Sequence, residues 1–165
     1  MSSSNPIARF ARLLATFAVL VGLAGCGFAP IYGQGSAAAD LQGRIALNVD
    51  ETANGYALAK HLEQRLGRTQ TDTPDVLTVR IDVTSKNVAI ASDDTVVRVT
   101  LVGHADYALP SPDGSLITNR AVNSFTSYSN TGSVVAIQAA QNDANERLAR
   151  NLANLIVTDL MIAGQ

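Results

Sequence analysis

The sequence predicts an α+β fold: a four-stranded, mostly antiparallel sheet with two helices on one face, in the order β-α-β-β-β-α. Three observations carry that expectation. Two stretches, residues 54–68 and 133–163, repeat apolar side chains at helical spacing. Between them lie three long runs in which apolar and polar residues alternate, the period of half-buried strands. A shorter alternating run at 44–49 precedes the first helix. Two helices are enough to cover one face of such a sheet, which leaves the other face without a partner inside the chain.

Each element has its own signature. Ile45, Leu47 and Val49 alternate in the first strand. In the first helix Leu58, Leu62 and Leu66 stand four apart; Thr52 or Asn54 is placed to cap its start and Gly67 to end it. His61 falls on the side expected to face solvent. Residues 76–83 set Leu77, Val79, Ile81 and Val83 inward against Thr78, Arg80 and Asp82. The apolar phase then shifts to Val88 and Ile90, which predicts a bulge near 85–87, and residues 91–94 make the turn. Residues 97–109 keep one phase throughout, with Val97, Val99, Leu101, Gly103, Ala105, Tyr107 and Leu109 on one face. A Pro-Ser-Pro-Asp-Gly run at 110–114 marks a hairpin. Residues 115–128 form a strand whose inward face parity does not fix. In the last helix Ala136, Ala140, Ala144, Leu148 and Leu152 run at i+4 and are continued by Leu155, Ile156 and Leu160, predicting close packing at first and deeper burial later. Asp143 with Arg147 and Glu146 with Arg150 are spaced as i,i+4 ion pairs.

The domain is preceded by a segment of a different kind. Residues 1–25 read as a cleaved export signal, with Arg9 and Arg12 ahead of the apolar run LLATFAVLVGLA. That run is far short of the ~20 residues needed to cross a bilayer. Leu23-Ala24-Gly25-Cys26 matches the bacterial lipoprotein processing box. Small residues admit the peptidase, and the Cys26 thiol takes a diacylglyceryl group before the freed amine takes an N-acyl chain. One acyl chain anchors only marginally, whereas two or three hold firmly. Gly27 in place of Asp at the next position favours sorting to the outer membrane. Residues 26–42 are then a lipidated tether and 43–165 a single domain. Because lipid consumes the only cysteine of the chain, no disulfide is expected.

Charge and motifs exclude several functions. All 14 acidic residues follow Cys26 but only 10 of the basic ones do, so the exported chain is net negative, unlike a nucleic-acid binder. With one Cys and two His there is no metal-ligand cluster, and no phosphate-loop, nucleophile-elbow or dinucleotide motif occurs. Neither a metal nor an enzymatic activity is expected. The uncovered face carries Arg80 and Arg98, and Arg120 is the candidate for the next strand; with Lys86, a row of guanidiniums here could hold the phosphates of a glycolipid head group. The plain alternative is a solvated face on which Asp82 and Asp106 neutralise the arginines.

Several segments resemble one family. Cys26-Gly27-Phe28-Ala29-Pro30-Ile31-Tyr32 resembles the C-G-F-x-P-L-Y opening of the LptE family of LPS-assembly lipoproteins, with Ile31 where Leu is usual. The likeness continues through NGYALAKHLEQRL, the long strands, Ser127-Tyr128-Ser129-Asn130, and an AxxxAxxDAxxRL pattern ending at Arg147 and Leu148. The resemblance implies a non-enzymatic outer-membrane lipoprotein that plugs the LptD β-barrel, helps it assemble and binds lipopolysaccharide. Other readings remain: an accessory lipoprotein of a lipid-moving ABC transporter, or an envelope lipoprotein that binds no glycolipid.

Overall fold

A computed structural model describes residues 41–90, 96–110 and 116–163, all within one compact unit. The order of elements is the expected one: β1 (Ile45–Val49), α1 (Ala53–Leu66), β2 (Asp75–Ile90), β3 (Val96–Pro110), β4 (Leu116–Ser129) and α2 (Val134–Ala163). The strands lie in the sheet in chain order, β1 parallel to β2 and the others antiparallel. The expected signal, the lipidation site, residues 26–40 of the expected tether, and residues 91–95 and 111–115 of the two hairpins lie outside the described residues, whereas Leu41 packs against the core.

The start of α1 is set by Thr52, whose hydroxyl accepts from the Gly55 amide at 3.0 Å, satisfying one of the orphan donors of a first turn. At the other end Gly67 takes φ +76°, a left-handed conformation that glycine adopts without strain. Along β2 and β3 the side chains fall as their alternation predicts. Leu77 and Val79 on β2, and Leu101, Ala105, Tyr107 and Leu109 on β3, are buried beneath Leu58, Leu62, Leu148, Leu152, Ile156 and Leu160 of the helices. Gly103 lets α2 come close: a Cβ built on it would meet the tips of Leu148 and Leu152 at 3.0–3.2 Å. The β2 ladder slips on either side of Ala89, just beyond the predicted bulge.

Three expectations are corrected. His61 is buried rather than solvent-facing, because α2 packs against its side of α1; its Nε2 lies 2.8 Å from Glu146 Oε2. Glu146 therefore does not serve Arg150. It turns to α1 and accepts from Lys60 Nζ at 2.7 Å as well, whereas the Asp143–Arg147 pair forms at 3.4 Å. Finally, α2 does not pack from its first turn. Val134 and Val135 are exposed and continuous burial begins at Ala144, since Ala144 is already level with Thr126, only three residues from the end of β4.

The Lys60 and His61 bonds, Lys60 first, hold the Glu146 carboxyl below its ordinary value of 4.5. A carboxyl depressed on folding adds stability that is complete above its unfolded pKa and is lost as pH falls through its folded one. Acidification below about pH 4.5 should thus loosen the α1–α2 contact. In thermal unfolding followed from pH 7 to 3, Glu146→Gln should show a shallower loss of Tm than the native chain. Parallel pH profiles would sink this assignment.

Candidate functional site

The face opposite the helices is built from alternate residues of three long strands. Thr78, Arg80, Asp82, Thr84 and Lys86 come from β2, while Arg98, Thr100, Val102, His104 and Asp106 come from β3. The β4 contribution, Asn119, Ala121, Asn123, Phe125, Ser127 and Ser129, carries no charge.

Register divides this face in two. In its middle, Arg80 stands opposite Asp106 and Asp82 opposite His104. The His104 ring bridges Asn123 Oδ1 at 2.7 Å and Asp106 Oδ1 at 3.3 Å. The bond to Asn123 is the largest influence on the imidazole and raises its pKa; desolvation opposes it, and the Asp106 charge adds a smaller upward push. Cation and anion alternate here, so the middle offers a polyanion little net attraction.

At the far end of the strands the balance changes. Lys86 faces Thr100 across the ladder, and Arg98 lies two residues from Thr100 on β3, so the two cations are diagonal neighbours. Neither makes an ion pair among the described residues, and both are exposed. Arg98 opens onto a recess that also includes Ser127, Ser129, Thr131 and Val88. The hydroxyls are already linked in pairs, Thr100 to Ser127 and Ser129 to Thr131, each at 2.8 Å. Arg98 with the hydroxyls of this recess, and Lys86 diagonal to it, are groups with the chemistry to pair with a phosphate, and Val88 and Tyr128 add apolar surface beside them. Among the described residues no group of side chains could hold a metal ion.

Arg120 does not belong to this face. It stands opposite Tyr107, whose ring is in the core, so its side chain emerges on the helix side and pairs with Asp159 of α2 at 3.6 Å. The other oxygen of Asp159 accepts from the Tyr107 hydroxyl at 2.6 Å. Burial, and then this bond to a carboxylate, push the phenol well above its ordinary pKa. A row of three arginines on adjacent strands therefore does not exist; Arg80, Lys86 and Arg98 share the open face and Arg120 braces α2. Sequence reasoning missed the hydroxyls around Arg98 and the exposed Phe125 because both depend on the unresolved parity of β4. The one signal pointing to Arg120 as a brace was Asp159, a lone acid within the apolar end of α2.

Comparison with known proteins places this face in context. Residues 43–160, more than two thirds of the chain, match the lipopolysaccharide-assembly family LptE. The chain belongs to that family. Its fold is shared by a candidate lipoprotein of Caulobacter crescentus CB15, at TM-score 0.60 and 23% identity over 76% of this chain and 93% of that one. A minor lipoprotein of Acinetobacter baumannii aligns at TM-score 0.55 and 15% identity, over 73% and 91% of the two chains. The rare lipoprotein B of Shewanella oneidensis aligns at TM-score 0.53 and 10% identity, over 70% and 92%. No curated protein sequence matches the chain. The LptE match extends over β1 to α2 and so includes both halves of the open face.

Proposed function

We propose that this LptE-family chain is an outer-membrane lipoprotein, without enzymatic activity, that occupies and helps assemble an LptD-type β-barrel and binds lipopolysaccharide on its way to the outer leaflet. Diacylglycerol and an N-acyl chain on Cys26 anchor it, and Gly27 directs it to the outer membrane. Tethering raises the effective concentration of the domain near a barrel in the same membrane. A weakly charged, hydroxyl- and amide-rich face suits the wet interior of such a barrel.

The observation that carries the glycolipid part is the Lys86–Arg98 pair, two cations free of acidic partners among the described residues and beside an apolar-walled recess. Arg80 is expected to contribute less, since Asp106 stands opposite it. Arg120 is expected to contribute only through the position of α2.

The test is one purification. Tagged full-length lipoprotein extracted from outer membranes in detergent should bring down a stoichiometric barrel protein together with lipopolysaccharide. Lys86→Ala with Arg98→Ala should keep the barrel and weaken lipopolysaccharide binding about tenfold or more, because two charge-assisted bonds are lost. A transporter component in place of a barrel would overturn the plug reading. Unchanged lipopolysaccharide binding in the double variant would overturn the assigned site.

A further inference from the structure

The outer edge of β4 is the feature this function leaves unused. β4 is the last strand of the sheet, and among the described residues no strand pairs with its far side. The Asn130 amide donates to Val97 O at 3.0 Å, which turns the even-numbered amides of β4 toward β3 and the odd-numbered ones outward. The outward set is Asn119, Ala121, Asn123, Phe125 and Ser127. Arg147 reaches round to donate to the Ser127 carbonyl at 3.1 Å, as that phase requires. Long edges are ordinarily blunted by lysine, proline or a bulge. This one runs 14 residues without proline, keeps one register from Arg98 to Leu109 of its partner, and carries a single charge, Arg120, already turned to Asp159.

The helix layer beside that edge says what could lie on it. Glu146 faces α1. At about 100° per residue, Leu155 is half a turn around α2 from Glu146, and Ile162 is within about 20° of Leu155. Both therefore point away from α1, on the flank of the open edge, and they are 42% and 59% exposed. A strand added to β4 would set alternate side chains against Leu155 and Ile162, and the others level with Asn119, Asn123 and Phe125. The strand that fits alternates apolar with neutral polar residues. A second β4 fits poorly, because four of the six residues of its helix-side row, Thr118, Arg120, Ser124 and Thr126 beside Val122 and Tyr128, would bring hydroxyls and a guanidinium onto the apolar flank.

Strands of membrane barrels carry that alternation, and a barrel presents an edge only before it closes. We propose that the β4 edge pairs with the edge strand of an outer-membrane barrel that has not yet closed, so that this domain supports barrel assembly by strand addition. The inference rests on the barrel-partner reading above and adds the surface and the stage at which it acts. Main-chain pairing reads an alternating pattern rather than a sequence, so any barrel of this type serves as a probe.

The experiment mixes the full-length lipoprotein in detergent with an eight-stranded outer-membrane barrel diluted from urea, or with the same barrel already folded. Amide hydrogen exchange is read residue by residue. The unfolded barrel should slow exchange at Asn119, Ala121, Asn123 and Phe125 by tenfold or more, and the folded one should not. Ala121→Pro removes an outward amide and no ladder bond, so it should keep the fold and abolish capture, while Ala121→Val should retain it. Unprotected amides, equal protection by the folded barrel, or full capture by a folded Ala121→Pro chain would each overturn the proposal. Those results leave the barrel reading standing, since only the purification from outer membranes can remove it.

Discussion

Gly55→Ala is expected to destabilise the domain by about 2–4 kcal/mol, although it adds a single methyl group to a helix that alanine would otherwise favour. Gly55 is buried in the first turn of α1, and a Cβ there would run into the carbonyl oxygen of Asp50 and stand 3.2 Å from the Thr52 hydroxyl. Backbone on one side and a capping side chain on the other leave no flexible group to give way. The helix start would have to move. That movement breaks the Thr52 cap on the Gly55 amide and disturbs Asp50, whose carboxylate accepts from the Ile81 amide at 3.1 Å. One corner thus ties β1, α1 and β2 together. For a domain of this size the change corresponds to a fall of roughly 6–15 °C in Tm, measurable by circular dichroism of the full-length lipoprotein in detergent. A fall of less than about 3 °C would mean that the corner relaxes freely.

Leu152→Ala should cost about 3–4 kcal/mol, in the upper part of the range for a buried leucine. Leu152 is fully buried, and its Cδ1 would lie 3.0 Å from a Cβ on Gly103. The residue beneath the void is therefore a glycine, with no side chain to swing into the space. The same geometry predicts partial rescue: Gly103→Ala alone crowds Leu148 and Leu152, but combined with Leu152→Ala its methyl enters the vacated volume. In a double-mutant cycle the pair should recover about 0.5–1.5 kcal/mol relative to the sum of the singles. Strict additivity would show that α2 shifts along the sheet rather than leaving a cavity.

How much of this was legible in the sequence differs from strand to strand. In β2 and β3 the contrast between faces is strong, Leu77 and Val79 against Thr78 and Arg80, so burial follows alternation directly. In β4 the helix-facing row is Thr118, Arg120, Val122, Ser124, Thr126 and Tyr128, about as polar as the outward row. Those polar groups are tolerated because α2 answers them, Thr126 donating to the Ala144 carbonyl and Arg120 pairing with Asp159. Neither answer can be read from β4 itself. His61 was misplaced for a related reason, since α1 packs against both the sheet and α2 while its leucine stripe reports only one of those contacts. The candidate site was legible in its residue types but not in its grouping. Register alone sets Asp106 opposite Arg80, gathers Lys86 and Arg98, and removes Arg120 to the other face.

The length of the strands has a consequence of its own. The chain enters the sheet beside Asp75, where the Asp75 amide donates to Arg44 O at 3.0 Å, and the Lys86–Arg98 pair lies near the opposite end of β2. At about 3.3 Å per residue, the eleven steps from Asp75 to Lys86 span roughly 36 Å. The hydrocarbon layer of a bilayer is about 30 Å thick. The sheet is thus slightly longer than that layer is thick; consider it stood along the membrane normal with Asp75 at the level of one set of head groups. Its two cations would then stand at the level of the opposite head groups, and shortening β2 and β3 together by four residues would draw them back into the depth of the acyl chains.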